Sequence, residues 1–205
     1  MKRAALDNAY DASGAYLGRL WSTRRDVPVQ EHVRAILAAV DTALPDRLTP
    51  PLVRELVEAY SRPILMVPPA VDDGARTALE TLRERGYALA LISNIMRTPG
   101  VTLRKLLAQF GLLECFAHTT FSDEVGIRKP DPAIFGLTLR AVGGEPETSV
   151  HVGDDPVLDV QGGRGAGMRV IQVAARARSS ASLTPDVVIP RLSALPAAVA
   201  ELEAR

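Results

Sequence analysis

Three carboxylates, Asp154, Asp155 and Asp159, follow directly on the apolar run Ser149-Val150-His151-Val152 and its terminal Gly153. A short β-rich run that stops at Gly-Asp has the pattern of the carboxyl end of a buried strand. In an open α/β sheet, ligands bind at that end. Carboxylates crowded there repel one another unless a cation sits among them, and hard oxygen donors point to Mg²⁺ rather than to zinc. The competing reading of Asp-Asp-Pro is a turn whose Asp caps a helix. The stretch by itself leaves both open.

Two further pieces stand at strand ends. Ser93-Asn94 closes the run Tyr87–Ile92, where a hydroxyl and an amide can donate to a phosphoryl oxygen. Taken singly, the pair reads as a helix N-cap. In Arg128-Lys129-Pro130-Asp131-Pro132, the prolines fix the backbone and hold Lys129 just before a helix start. A lysine is a point charge suited to phosphate. In isolation it is an ordinary solvated lysine.

The elements that must position these residues differ between the two parts of the chain. From Met1 to about Met66 the apolar residues recur at helical spacing (Val33, Ile36, Leu37, Val40; Leu52, Leu56), and prolines mark the joints at Pro28, Pro45, Pro50-Pro51 and Pro63. A bundle of about three helices is expected, with no strand. From residue 67 to 205 strands and helices alternate. Strands are expected at Tyr87–Ile92, His118–Phe121, Ser149–Gly153, Arg169–Val173 and Val187–Ile189. Helices are expected over Asp72–Arg85, Thr102–Phe110, Pro132–Val142, Val157–Ala166 and Leu192–Glu203, with a surface loop at Ala174–Ser182. That alternation means a parallel sheet covered by helices on both faces, a Rossmann-like α/β fold.

The composition narrows the partners. The 205 residues carry 24 acidic and 24 basic side chains, so nothing argues for nucleic acid or an anionic membrane. No apolar stretch reaches the roughly 18 residues of a membrane span. The first residues lack the apolar region of a signal peptide. The lone Cys115 excludes an internal disulfide and reads as a buried small residue, and the expected compartment is the cytoplasm.

In order and spacing, Ser93, Lys129, Asp154 and Asp159 resemble motifs two, three and four of the haloacid dehalogenase superfamily of phosphohydrolases, in the branch with a helical cap. The resemblance runs from about Val71 to Val173. It takes in Ser122-Asp123-Glu124-Val125-Gly126, Lys129-Pro130-Asp131-Pro132 with Ile134-Phe135, and Gly153-Asp154 through Gly167-Met168. Asp155 stands where many relatives have serine, and Gly163 and Gly165 replace common alanines, which weakens that helix slightly. The family's first motif, an apolar strand ending in Asp-x-Asp, has no match. Asp7-Asn8-Ala9-Tyr10-Asp11 lacks the spacing, and Met1–Leu6 is a poor core strand. The resemblance therefore implies a chain that begins inside the cap, with residues 1–66 as helical cap and 67–205 as core lacking its central first strand.

The chemistry so implied is Mg²⁺-dependent hydrolysis of a small phosphorylated metabolite through an aspartyl-phosphate. Asp154 and Asp155 would ligate the metal, Ser93 would donate to the phosphoryl group and Lys129 would balance its charge. Asp159 would hold Lys129, and Asn94 would orient the site backbone. The family's true dehalogenases generally lack Gly-Asp in the fourth motif, so phosphate fits better than a haloacid. With the nucleophile missing, the chain as written is expected to be inactive. A catalytically inactive binding or regulatory protein on the same scaffold is the alternative. The sequence carries no signal for oligomeric state. The missing strand is expected to leave a slot between Tyr87–Ile92 and Val150–Val152. Either those strands pair directly, or another segment or chain fills the slot, or the isolated chain aggregates through open edges.

Overall fold

A computed structural model of the chain describes residues 3–173 and 184–204. The loop expected at Ala174–Ser182 lies outside the described residues. Helices α1 (Arg3–Ser22), α2 (Val29–Val40), α3 (Leu44–Arg47), α4 (Pro50–Ser61) and α5 (Pro63–Met66) come first. Proline stands at or beside the start of each from α2 on, where its preset φ suits the first turn and its missing N–H is not needed. Of the stretch Met1–Leu6, residues 3–6 belong to α1 and not to a strand.

Helix α6 (Ala75–Glu84) leads to strand β1 (Ala90–Ser93). The strand starts three residues later than the apolar run suggests. The reason is local: the Tyr87 amide still donates to the Leu82 carbonyl at 3.1 Å, closing the helix. Then follow α7 (Gly100–Gln109), β2 (His118–Phe121), α8 (Ser122–Val125) and α9 (Pro132–Val142). Helix α9 is bounded by two strong signals. The Asp131 side chain accepts from the Ala133 amide at its start, and Gly143 at φ +67° ends it.

Strand β3 (Val150–Gly153) opens into a π-helical turn (Pro156–Gln161) and then α10 (Gly162–Gly165), where one continuous α-helix is expected from the sequence. The Asp155 carbonyl accepts from both the Asp159 and Val160 amides, which widens the turn. Strands β4 (Arg169–Val173) and β5 (Val187–Ile189) and helix α11 (Leu195–Glu203) complete the chain.

The chain divides into two compact units. The first holds Met1–Pro69 with Asn94–Leu106 and Phe121–Arg128. Its helices α1, α2 and α4 bury Ala9, Leu17, Val29, Val33 and Val53. The second holds Ala70–Ser93, Leu107–Thr120 and Lys129–Arg205. Here β3, β4 and β5 form a parallel sheet in the register His151↔Val170, Val152↔Ile171 and Ile171↔Val187. Val170 and Ile171 are consecutive, so they face opposite sides, yet both are fully buried. Ile171 packs with Ile189, Ala78, Leu82, Leu195 and Leu202 from α6 and α11. The sheet is therefore covered on both faces, as its near-continuous apolar strands require.

Strand β1 pairs with β2 in a separate two-stranded sheet. Among the described residues β1 and β3 do not pair, so direct closure of the slot does not occur. One cavity of about 640 Å³ is lined by both strands. Each strand is held elsewhere, β1 by β2 and α9, β3 by β4 and the π-helical turn. Moving them together would pull both from that packing.

Candidate functional site

The π-helical turn swings Asp159 back beneath the end of β3. Its carboxylate lies so close to Gly153 that a Cβ there would sit 2.2 Å from Asp159 Cγ. Only glycine at 153 permits the approach. In that position Asp159 Oδ1 accepts from Lys129 Nζ at 2.5 Å and lies 2.9 Å from His151 Nε2. Its Oδ2 accepts the Asp155 backbone amide at 3.0 Å. Asp159 is 3% exposed, and burial alone would raise its carboxyl pKa. The His151 hydrogen bond and the Lys129 charge outweigh that and hold it well below the usual carboxylate range. The structure thus brings Lys129 and Asp159 together as an ion pair at a strand's carboxyl end, with the lysine side chain itself largely buried.

Asp155 is placed as a cap. Its Oδ1 accepts from the amides of Val157 and Leu158, both at 2.8 Å, so this carboxylate serves the helix start that follows. Asp154 is exposed, and its backbone carbonyl accepts from Gln172 Nε2. Among the described residues no three His, Cys, Asp or Glu side chains converge as a closed metal cage. Magnesium needs none, since it is usually bound through one or two carboxylates while keeping several waters and substrate oxygens. Of the two aspartates expected to ligate the metal, Asp155 is largely committed to its cap.

Ser93 closes β1, and Asn94 is the first residue beyond it. Ser93, Lys129, Asp154, Asp155 and Asp159 all fall in the second unit, whereas Asn94 falls in the first. Asp7 lies exposed on helix α1.

Two features were not legible in the motifs. One is His151, read from sequence only as a strand residue. It stacks edge-on with Phe135 at 4.9 Å between ring centroids while holding Asp159. The other is a buried cluster around Asp26. Arg128 Nη1 donates to Asp26 Oδ2 at 2.5 Å and to the Ile95 carbonyl at 2.6 Å. Ser122 Oγ donates to the same Asp26 oxygen and accepts from the Ile95 amide. Trp21 Nε1 donates to Asp26 Oδ1 and lies under the Arg128 guanidinium. Burial raises the Asp26 carboxyl, but nearby His32, the Ser122 hydroxyl and the Arg128 charge more than offset it, and the pKa is lowered. Both partners of the Ile95 backbone, two residues past Ser93, are thus themselves bonded to an aspartate some 70 residues upstream. Its only sequence signal is an Asp before the Val27-Pro28 turn.

The sequence profile of haloacid dehalogenase-like hydrolases matches residues 9–167. The chain belongs to this family. Within it, a phosphoserine phosphatase of Thermus thermophilus is 41% identical over 124 residues, 60% of this chain and 48% of its own length. The mouse haloacid dehalogenase-like hydrolase domain-containing protein 3 is 35% identical over 158 residues, 75% of this chain and 60% of its own. The chain thus spans about half to three fifths of these relatives. Among solved structures, the 2-haloacid dehalogenase of Pseudomonas syringae superposes with a TM-score of 0.69 at 24% identity, covering 96% of this chain and 81% of that one. A HAD phosphatase of Thermococcus onnurineus gives 0.61 at 27% identity, covering 95% and 87%. The fold is that of the HAD family: Rossmann-like, with parallel strands and abundant helix.

Proposed function

We propose that this chain is the phosphate-binding part of a Mg²⁺-dependent phosphatase acting on a small phosphorylated metabolite in the cytoplasm. The Lys129–Asp159 ion pair at the carboxyl end of β3 carries the reading. It fixes a positive charge where a transferring phosphoryl group must be neutralised, and its carboxylate stays ionised through the physiological range. Ser93 donates to the phosphoryl oxygens and Asn94 orients the backbone that presents it. Asp154 holds the metal, which when bound shields phosphate charge. Asp159 positions Lys129 and touches no substrate. Two phosphatase-named relatives, from Thermus thermophilus and Thermococcus onnurineus, support phosphate as the substrate group.

No Asp-x-Asp closes an apolar strand in this sequence, and Asp7 lies on a helix. The chain by itself therefore binds and does not turn over. That feature favours the second reading, a non-catalytic binding module, for the chain taken alone.

Titration calorimetry with Mg²⁺ separates the two aspartates. Even an outer partner of a metal site is worth about 10–100-fold in affinity, so Asp154→Ala should weaken Mg²⁺ binding by more than about tenfold. Asp155→Ala should leave binding within a few-fold and cost about 1 kcal/mol of stability as a lost cap. Equal Mg²⁺ heats for wild type and Asp154→Ala would remove the metal assignment. Hydrolysis of p-nitrophenyl phosphate should stay at background. Mg²⁺-dependent turnover abolished by Asp7→Ala would make Asp7 the nucleophile after all.

A further inference from the structure

One buried carboxylate of the first unit reaches stretches of chain that are far apart in sequence. Asp26, Ile95, Ser122 and Arg128 all belong to that unit, and all four are buried. The segment that carries Asp26 is itself held tightly. Arg24 adopts φ +60°, a left-handed conformation that a residue with a Cβ takes at a cost. Arg25 then stands opposite Ile127 in an antiparallel bridge. The Asp26 amide donates to the Gly126 carbonyl at 3.1 Å, and the Arg128 amide to the Arg24 carbonyl at 3.0 Å. Backbone strain of this kind persists only where the surroundings over-determine it.

A carboxylate offers about four acceptor positions, and Asp26 fills them all. Its Oδ1 takes the Trp21 indole N–H at 3.1 Å and the Val27 amide at 2.9 Å. Its Oδ2 takes the Ser122 hydroxyl and the Arg128 guanidinium, both at 2.5 Å. No acceptor position is left for a metal or a substrate. The two Oδ2 partners converge on one residue. Ser122 Oγ accepts the Ile95 amide at 2.7 Å, and Arg128 Nη1 donates to the Ile95 carbonyl at 2.6 Å. A single carboxylate thus fixes both backbone groups of Ile95. Arg128 is fixed at both ends, its guanidinium by Asp26 and the Trp21 ring and its amide by Arg24.

Stability does not account for this arrangement. A buried ion pair repays its desolvation poorly, and apolar side chains of the same volume often serve as well or better. What apolar packing cannot supply is direction. Ile95 lies two residues past Ser93, and Arg128 directly precedes Lys129. Two residues span at most about 7 Å of chain, so the Ser93 backbone cannot settle far from where Ile95 is pinned.

We propose that Asp26 is a positioning residue for the phosphate site, setting the backbone of Ser93 through Ile95 and that of Lys129 through Arg128. The proposal rests on the phosphatase reading of Ser93 and Lys129, and adds to it a residue that touches no substrate.

The test compares two variants of the full chain. Asp26→Asn keeps the shape but turns an amide N–H towards one pair of donors, Trp21 with Val27 or Ser122 with Arg128. Ser122→Ala is milder, removing only the hydroxyl between Asp26 and Ile95, and it decides by the same readings should Asp26→Asn not fold. The probe is inorganic phosphate, titrated with Mg²⁺ present and followed in amide NMR spectra, with urea midpoints measured alongside. Lys129→Ala should abolish phosphate binding. Asp26→Asn should weaken it by about tenfold or more, and Ser122→Ala in the same direction by less. The Ser93 amide signal should move in both variants, and that of Lys129 in Asp26→Asn. Leu17→Ala, in the core of the same unit, should lower the urea midpoint yet leave phosphate affinity within about twofold. If the two cluster variants cost stability but leave affinity and both signals as in wild type, Asp26 only supports the fold and the proposal falls. Phosphate binding that is absent, or indifferent to Lys129→Ala, would sink the phosphatase reading instead. The two amide signals then decide for Asp26 by themselves: moved, it sets these backbones; unmoved, it does not.

Discussion

Asp159 joins three partners through two oxygens, and its ionisation governs them all. Its carboxyl is held below the ordinary range, so its contribution is fully present above the unfolded-state value of about 3.9 and is lost as pH falls towards the lower folded value. Asp26 is shifted in the same direction. Urea midpoints should therefore be flat from neutral pH to about pH 5 and fall steeply below about 4. Asp159→Asn leaves the Lys129 charge buried without its partner, a loss of about 3–5 kcal/mol at neutral pH. The variant should also show a shallower acid limb, with Asp26 supplying the slope that remains. An unchanged limb in Asp159→Asn would assign acid unfolding to other carboxylates.

Among the elements, the π-helical turn and α10 decide the site, and their glycines are not equivalent. Helix propensity alone favours alanine over glycine by about 1 kcal/mol at either Gly163 or Gly165. A Cβ on Gly163, however, would lie 2.9 Å from Val170 Cγ2 and 3.0 Å from His151 Cβ. There, glycine lets the helix close onto the sheet beside the residue that holds Asp159. At Gly165 a Cβ meets only Pro132 Cγ, at an ordinary 3.8 Å. Gly165→Ala should therefore stabilise by about 0.5–1 kcal/mol, and Gly163→Ala should destabilise by about 1–3 kcal/mol through overpacking. Thermal unfolding of the two variants checks the difference. Equal shifts of the same sign would mean that propensity, not helix-to-sheet packing, sets the cost.

For the molecule as a whole, the second unit's sheet is unevenly secured. Strand β4 is paired on both sides and its Val170 and Ile171 are fully buried. Strand β1 pairs with β2 alone among the described strands, and its four residues are only half-buried. Local opening costs least where buried contacts are fewest. Amide exchange in the free chain should be slowest in β4 and markedly faster in β1. The reverse order would show that β1 is secured by pairing beyond β2. Ile171→Ala, in the cluster shared with α6 and α11, should cost about 2–5 kcal/mol by denaturant titration.

The sequence alone determined the alternation of strands and helices, because apolar period and Gly/Pro punctuation are local. Bounds such as Pro132–Val142 and His118–Phe121 came through unchanged for that reason. It also placed Ser93 at the end of β1 and Asp154 just past β3, since each closes an apolar run. Only the tertiary structure decided what those side chains touch. Asp155 turned out to cap a helix, the reading that Asp-Asp-Pro offered beside the metal one, and its oxygen meeting the amides of Val157 and Leu158 decides between them. His151 and Asp26 acquired their roles from partners 8 and 102 residues away. The open slot likewise depends on how β1 and β3 are each anchored to different helices, and such non-local packing leaves no periodic trace in a chain.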